Sequence, residues 1–164
     1  TGAHPGYTVN ALMENRHRFL LGLGVEVFRS SASETEGGVH LLERARRRLG
    51  YEPTTYGADK GFFSTNLIRT LLERRIAPHI ATDPRGRQPE HSSVRMRVRG
   101  VGYKLSQRAR KKIEELFGEA KDWHGLRRFR RRGISRVRQE TLLIGWVLNL
   151  KRLARALEMR SATA

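Results

Sequence analysis

The sequence predicts an α/β protein built on a mixed β-sheet. Segments rich in β-branched and apolar residues alternate with segments that carry apolar residues at helical spacing, in the order strand, strand, helix, strand, helix, strand. This alternation is typical of a sheet covered by helices. The 164 residues suit one domain, and a hydrophobic fraction of 38% is enough for a modest core.

The first two strands are predicted over residues 7–13 and 18–28, which mix β-branched, aromatic and apolar side chains. A polar turn over 14–17 separates them, so the pair is predicted to form a β-hairpin. Gly22 and Gly24 weaken the second strand and favour a bulge there.

The next segments predict a loop, a helix and a short strand. Residues 30–38 are polar and predict the loop. Residues 38–49 carry apolar side chains at helical spacing, and Gly50 is expected to end this helix. Residues 54–58 then predict a short buried strand.

A second helix and strand follow. Ser64 or Thr65 is expected to cap the helix. Residues 77–81 predict the strand, and residues 83–93, which include two prolines and a glycine, predict a loop. The apolar face of the helix consists of Leu67, Ile68, Leu71 and Leu72.

Two long helices are predicted in the C-terminal half of the chain, over 106–123 and 136–157. Trp123 and Trp146 fall on apolar helical faces and are predicted to lie in the core. The last helix carries a dense apolar run and is therefore predicted to be buried. That run consists of Leu142, Leu143, Val147, Leu148 and Leu150.

The chain is strongly basic, with a formal net charge of +17. Between Arg95 and Arg138, sixteen Lys or Arg residues stand against four Asp or Glu residues, a local balance of +12. Such a patch predicts salt-dependent and mostly sequence-independent affinity for nucleic acid. An anionic membrane surface is the second candidate partner, and a solvated basic face without a specific partner is the alternative.

The densest part of this patch is an arginine-rich segment around Phe129. Guanidinium groups suit phosphate because they offer planar, paired donors. Phe129 is expected to be a local core anchor, although it could also stack on a base. The five arginines are Arg127, Arg128, Arg130, Arg131 and Arg132.

Several classes of protein are excluded by composition. The chain contains no cysteine, so it has neither disulfides nor Cys-based zinc sites. No segment approaches the roughly 18 apolar residues of a membrane span, and there is no signal-peptide pattern. The six histidines show no close metal-ligand spacing, and His79 is expected to be structural. A reducing cytoplasm is compatible with this composition.

Asp59 is the first candidate for chemistry, and it is the first of only three aspartates in the chain. It follows the predicted strand 54–58, and ligands bind at the carboxyl ends of strands in open α/β sheets. Gly57 and Gly61 allow backbone and substrate to approach closely. The alternative is a turn aspartate that caps a loop.

The second candidate is Glu114, on the helix predicted over 106–123. Arg110, Glu114 and Lys121 follow each other at spacings of four and seven, so they share one face beside the apolar stripe. The alternative is an i,i+4 ion pair on a solvated surface. Two carboxylates from separate elements could hold a pair of divalent ions for phosphodiester chemistry, and magnesium prefers such oxygen ligands.

These residues resemble the DDE transposases of bacterial insertion sequences. Arg110-x3-Glu114-x6-Lys121 is similar to the Tyr-x2-Arg-x3-Glu-x6-Lys signature of one group of these enzymes, and the resemblance covers nearly the whole chain in the right order. The segments that resemble one large branch of the family are 11–16, 57–62, 102–115, 126–133 and 142–153.

The resemblance implies an RNase H-like mixed sheet flanked by helices, and it implies specific roles. Asp59 and Glu114 would be catalytic carboxylates that bind Mg²⁺ or Mn²⁺ in a two-metal site. Arg110 and Lys121 would contact DNA phosphates near the transposon end, and the adjacent Lys60 and the five arginines of the basic segment are expected to join them. Water would attack at the end of the element, and the freed 3′-hydroxyl would then attack target DNA.

The sequence departs from the family pattern in two places. Gln107 stands where the signature has tyrosine, which affects an accessory contact. No aspartate precedes Asp59, so the first catalytic aspartate and its strand have no counterpart. We expect residues 1–158 to form a partial catalytic domain, truncated or split and inactive alone, and residues 159–164 to form a disordered tail.

Two other functions stay open at this point. The chain could be a non-catalytic basic nucleic-acid-binding module, or an RNase H-like nuclease of another pathway. The transposase interpretation implies double-stranded DNA as partner, both as transposon ends and as target. It also allows a homodimer or a complementing N-terminal half as partner. The expected location is the cytoplasm, in association with the nucleoid.

Overall fold

The computed structural model describes residues 6–27, 31–82 and 89–162. Within these ranges the chain is an α/β protein, and the predicted order of its first six elements is confirmed. The strands are β1 (Tyr7–Met13), β2 (Leu20–Val27), β3 (Thr55–Ala58) and β4 (Ala77–Ile80). The helices are α1 (Ser31–Leu49), α2 (Thr65–Glu73), α3 (Pro89–Val98), α4 (Val101–Trp123) and α5 (Ile134–Ser161).

Strands β1 and β2 form the predicted antiparallel hairpin. The pairing moves from Leu12↔Gly22 to Met13↔Leu20, which leaves Leu21 as an extra residue in β2. The expected bulge is therefore present next to Gly22. The turn is closed by the Glu14 carboxylate, which accepts hydrogen bonds from the backbone N–H groups of 16, 17 and 19 at 2.7–3.0 Å.

Strands β3 and β4 are parallel, with Gly57 opposite His79, and α2 connects them. The Ser64 hydroxyl accepts a hydrogen bond from the backbone N–H of Leu67 at 3.3 Å, so Ser64 is the N-cap that the sequence predicted. The apolar face of α2 is fully buried at Leu67, Ile68 and Leu71.

The predicted mixed sheet is found as two separate two-stranded sheets among the described residues. β1 pairs only with β2, and β3 pairs only with β4 in this part of the chain. A cleft of about 690 Å³ is lined by the end of β1, the hairpin turn, β3 and α4. No described strand bridges β1 and β3, so one continuous mixed sheet stays a prediction, while the α/β class is confirmed.

The predicted start of the first helix is wrong. α1 begins at Ser31 rather than near Gly38, so the expected loop over 30–38 is largely helical. Gly38 lies inside the helix, where α1 packs so closely that a Cβ would approach the Phe62 ring to 2.9 Å. As predicted, the helix ends before Gly50, which has φ +59.

The C-terminal half of the chain is more helical than expected, and α3 was not predicted at all. α3 begins at Pro89, inside the loop predicted over 83–93, while residues 83–88 lie outside the described residues. α4 begins at Val101, five residues early. α5 continues to Ser161, so the expected disordered tail is helical up to that residue, and 163–164 lie outside the described residues.

The core consists of two clusters. The first lies around α2, with Leu42, Ile68 and Ile80 at its centre. The second joins β2 to the two long helices through Leu23, Leu116 and Leu148. The second cluster packs α4 against the hairpin, and α4 also contacts β3 and β4.

The predicted burial of the last helix is mostly wrong. Of its apolar run only Leu148 is buried, at 1% exposure, whereas Leu142, Leu143, Val147 and Leu150 are exposed. Trp123 and Trp146 were expected in the core and are 81% and 71% exposed. An apolar helical face predicts burial only if another element covers it, and among the described residues none covers these side chains. None of the described helices is long and apolar enough to cross a bilayer.

Ile68→Ala tests the importance of the first cluster. Because the side chain is fully buried, we expect the free energy of unfolding to fall by about 2–5 kcal/mol, measured by urea denaturation. Leu49→Ala is the control, since Leu49 is 58% exposed and should change stability by about 0.5 kcal/mol or less. Equal losses in the two variants would contradict this assignment of the core.

Candidate functional site

Gln107 attaches α4 to the carboxyl ends of both parallel strands. Its Nε2 atom donates hydrogen bonds to the carbonyl oxygens of His79, at 2.8 Å, and Ala58, at 3.4 Å. These carbonyls lie near the ends of β4 and β3, and Asp59 follows Ala58 directly. One amide group therefore fixes the start of α4 beside the first candidate carboxylate.

A second polar contact supports the same junction. His79 Nδ1 and the Ser106 hydroxyl are 2.6 Å apart, and the Tyr103 ring lies edge-on to the imidazole at 6.2 Å. Burial, and then the positive charge of Arg97, lower the pKa of His79. These contacts agree with the structural role expected for this histidine.

Asp59 is exposed at the end of β3. Its Oδ1 atom accepts a hydrogen bond from the backbone N–H of Gly61 at 2.9 Å and caps the 3-10 turn Lys60–Phe62. Asp59 therefore has the alternative role that the sequence suggested, that of an aspartate that caps a turn. Burial, and then the Asp59 charge, raise the pKa of Tyr56 to about 12.

Glu114 lies on the solvent side of α4, with its side chain 57% exposed. Its Oε1 atom accepts a hydrogen bond from Arg110 Nη1 at 2.6 Å, so the i,i+4 ion pair considered from the sequence is also present. Pairs this exposed stabilise a protein by only about 0–1 kcal/mol. The carboxylate could therefore be released to a stronger ligand at little cost.

Arg110 connects Gln107 to Glu114. Arg110 Nε donates to Gln107 Oε1 at 3.1 Å, while Nη1 of the same guanidinium donates to Glu114. A continuous polar chain thus runs from the ends of the strands to Glu114. The central position of Gln107 was not predicted from the sequence, although its spacing of three residues before Arg110 indicates a shared helical face.

The two candidate carboxylates do not contact each other among the described residues. Glu114 lies seven residues beyond Gln107, about 10 Å along the helix axis. No group of three or more His, Cys, Asp or Glu side chains in the described ranges could hold a metal ion. Asp59 and Glu114 fit the oxygen chemistry of a divalent cation, but they provide only part of a coordination shell. The shared metal site therefore stays a prediction.

The basic segment is held to the domain by contacts that leave its cations exposed. The Phe129 ring packs edge-on against Tyr7 at 6.2 Å, as expected of a local anchor. The backbone N–H of Gly133 donates to the Tyr7 hydroxyl, and that of Arg130 donates to Glu140, each at 3.2 Å. The arginines of the basic segment with exposed side chains are Arg127, Arg128, Arg130, Arg131 and Arg132.

The other predicted DNA-binding residues lie in different surroundings. Lys60 and Lys121 are exposed, the first in the 3-10 turn and the second in the last turn of α4. Arg127 forms an ion pair with Asp122 at 2.7 Å. The Arg110 side chain is 25% exposed and is directed to Gln107 and Glu114, so its observed contacts position a carboxylate.

Comparison with protein families identifies the class of protein. The model of the transposase DDE domain matches residues 1–150, which is 150 of the 164 residues. The chain therefore belongs to the DDE transposase family. It matches no curated protein and no solved structure with significance.

The lowered pKa of His79 predicts a pH dependence of stability. The folded chain binds a proton at His79 less readily than the unfolded chain does, so the unfolded state gains protons first as the pH falls below the ordinary value of 6.5. The contribution of His79 is present above this pH and is lost below it. We expect the free energy of unfolding to fall in this range.

Urea denaturation on either side of pH 6.5 measures this effect. His79→Gln should show a smaller fall, because it removes the titrating group. A His79→Gln variant with an unchanged pH dependence would contradict the assignment.

Proposed function

We propose that the chain is part of a transposase catalytic domain that acts at the ends of an insertion sequence. The reaction is metal-dependent phosphodiester cleavage followed by strand transfer. The observation that carries the proposal is the Gln107 junction, which attaches the helix of Glu114 to the end of the strand that precedes Asp59. Membership of the DDE family supports it.

In this proposal Asp59 and Glu114 are the catalytic residues that bind divalent ions. Bound Mg²⁺ or Mn²⁺ would activate the attacking oxygen and stabilise the leaving oxygen. Asp59 is held by the Gly61 N–H, and Glu114 by Arg110, so both carboxylates are oriented before any ligand arrives. Arg110 acts as a positioning residue and can also reach a phosphate when Glu114 is released.

The basic residues bind DNA in this proposal. Lys121 lies two turns beyond Glu114 on α4 and Lys60 follows Asp59, so each candidate carboxylate has a cation nearby in sequence. The exposed arginines of the basic segment add affinity along the phosphate backbone. This function would take place in the cytoplasm at the nucleoid.

We further propose that an additional strand completes an RNase H-like sheet. The cleft between the two small sheets supports this, because β1 and β3 both line it and each has one described pairing partner. A strand there would pair with both edges and could bring an aspartate to Asp59. The 164 residues alone would then be an inactive or split form that a complementing N-terminal half activates.

A non-catalytic basic DNA-binding module is the second candidate function. It is favoured by a specific observation: Asp59 caps a turn and Glu114 forms a surface ion pair, so both carboxylates have local roles. In this case the chain binds DNA through the same arginines and cleaves nothing.

Glu114→Gln separates the two functions. We expect the chain alone to bind DNA without cleaving it, and to cleave transposon ends with Mg²⁺ when an N-terminal segment with the missing aspartate is supplied. Glu114→Gln should then lower cleavage by roughly 100-fold or more, because a metal site contributes several kcal/mol to the transition state. DNA affinity should stay unchanged, as measured by gel shift.

Glu115→Gln is the matched control for this experiment. Glu115 is the neighbouring carboxylate, is 66% exposed, and pairs with Arg18 at 3.5 Å. Its substitution changes the charge equally and should leave cleavage intact. Cleavage by the Glu114→Gln variant would contradict the catalytic assignment of Glu114. If the chain cleaves no DNA with or without the N-terminal segment, the binding module is favoured.

Substitution of Arg130, Arg131 and Arg132 by Gln tests the basic segment. We expect weaker DNA binding and a plot of log affinity against log salt that is shallower by about 0.9 for each phosphate that the variant no longer neutralises. The control replaces Arg46, Arg47 and Arg48 in the last turn of α1, which removes the same charge elsewhere. Equal effects of the two triple substitutions would show that only net charge matters.

A further inference from the structure

A cavity of about 590 Å³ lies between α1, β2 and the start of α5, and neither Asp59 nor Glu114 lines it. Part of its wall is apolar and is formed by the buried side chains of Leu23, Val25 and Leu41. Apolar walls lower the local dielectric, so charges that face this cavity interact more strongly than charges on an open surface. The charged groups in its lining therefore indicate what the cavity binds.

Two arginines from different helices contact the edge of β2 that is not paired with β1, which we call the outer edge. Arg44 of α1 donates a hydrogen bond from Nη2 to the carbonyl oxygen of Leu23 at 2.6 Å. Arg138 of α5 donates from Nε to the carbonyl oxygen of Val25 at 3.2 Å. Carbonyls of alternate residues point to the same edge of a strand and are about 7 Å apart. The strand therefore sets the separation of the two guanidinium groups.

A glycine lets α1 approach β2 closely enough for one of these contacts. Gly22 of β2 lies beside Arg44, because a Cβ at position 22 would lie 3.4 Å from Arg44 Nη2. The same Cβ would lie 3.1 Å from Leu41 Cδ2, so a side chain there would crowd α1 as well. The position of the Arg44 guanidinium thus depends on the absence of a side chain in the strand.

Positive charge exceeds negative charge around the cavity. Arg47 and His40 line it together with the two arginines that contact β2, and the carboxylates in its lining are those of Glu26 and Glu43. Glu43 forms an ion pair with Arg74, which is not part of the lining. This pairing leaves three guanidinium groups in the lining against the one carboxylate of Glu26.

The guanidinium groups near the outer edge of β2 also repel each other. Burial, and then the positive charges of Arg48 and Arg138, lower the pKa of Arg44. An anion between Arg44 and Arg138 would offset this repulsion. A guanidinium has five N–H donors, so one hydrogen bond to a carbonyl leaves most of them for other partners. The cavity therefore favours an anion with several acceptor oxygens.

We propose that Arg44 and Arg138 form a phosphate-binding site at the outer edge of β2. Guanidinium groups bind phosphate through planar, paired N–H donors, with hydrogen bonds of about 2.8 Å. One phosphate that accepts hydrogen bonds from both side chains fits between donors held at the separation that β2 sets. The phosphate belongs either to the DNA backbone or to a soluble phosphate ester, and in the first case the site rests on the proposed function.

The position of the site next to the basic segment favours the DNA backbone as the source. Gly133 follows the five arginines of that segment and contacts Tyr7, which pairs with Val27 at the end of the hairpin. Arg138 contacts β2 two residues from this end, at Val25. Five residues of helix separate Arg138 from Gly133, a rise of about 8 Å. A DNA backbone held by the basic segment can therefore continue to the site.

Titration of inorganic phosphate at constant ionic strength tests the site, followed through the Nε–H resonances of the isotope-labelled arginines. The resonances of Arg44 and Arg138 should shift together with one dissociation constant. Arg46 is the control, because its guanidinium pairs with Glu52 at 2.9 Å on the surface and should shift little. Arg44→Lys keeps the charge but loses the paired donors, so it should bind phosphate at least tenfold more weakly. Resonances that move no more than that of Arg46 would overturn the proposal.

A double variant, Arg44→Gln with Arg138→Gln, identifies the source of the phosphate. Glutamine keeps an N–H donor for each carbonyl of β2, so the fold should be retained, as checked by urea denaturation. If the site binds the DNA backbone, gel shifts should give a plot of log affinity against log salt that is shallower by about 0.9, for one phosphate. The control, Arg75→Gln with Arg155→Gln, removes the same charge from exposed positions elsewhere and should keep the slope.

The two measurements together decide between the sources. Phosphate binding that the first double variant loses, with DNA binding equal to that of the control, would identify a soluble phosphate ester as the ligand. Phosphate binding that this variant retains would overturn the proposal and leave the two arginines as a cover for the edge of β2. The function proposed above is tested by DNA cleavage, so a failure here leaves it untouched.

Discussion

The attachment of α4 to the ends of two parallel strands is the constraint on which the site depends. Gln107 makes this attachment by donating to carbonyl oxygens in β3 and β4, and the His79–Ser106 contact adds a second connection. Because Asp59 follows β3 and Glu114 lies further along α4, their relation is set by this junction. Any chemistry that uses both carboxylates requires it to hold.

The site is organised by polar contacts that extend outward from the junction. Gln107 contacts Arg110, which in turn holds Glu114 at the surface, while Asp59 is held by its own turn. Neither carboxylate is buried, and the pairs that hold them are weak in water. The two carboxylates are oriented by these contacts but can still exchange them for other ligands. This would suit the divalent ions of the proposed reaction with DNA. In the proposed metal site, further ligands would enter through the cleft beside β3.

The basic segment is an exposed cluster of positive charge. The arginines around Phe129 are exposed because Tyr7 and Glu140 anchor the backbone and aromatic ring of the segment rather than its guanidinium groups. In the proposed function, this exposed cluster of arginines contacts the phosphate backbone of DNA.

The sequence by itself determined local structure and family. The hairpin, the Ser64 cap and the helix stop at Gly50 follow from short-range chemistry, and the spacing of Arg110, Glu114 and Lys121 pointed to DDE transposases. Only the tertiary structure decided that the strands form two sheets, that Gln107 joins α4 to them, and that Trp146 faces solvent. The physical reason is that periodicity shows which side chains share a face, whereas burial depends on whether a distant segment covers that face.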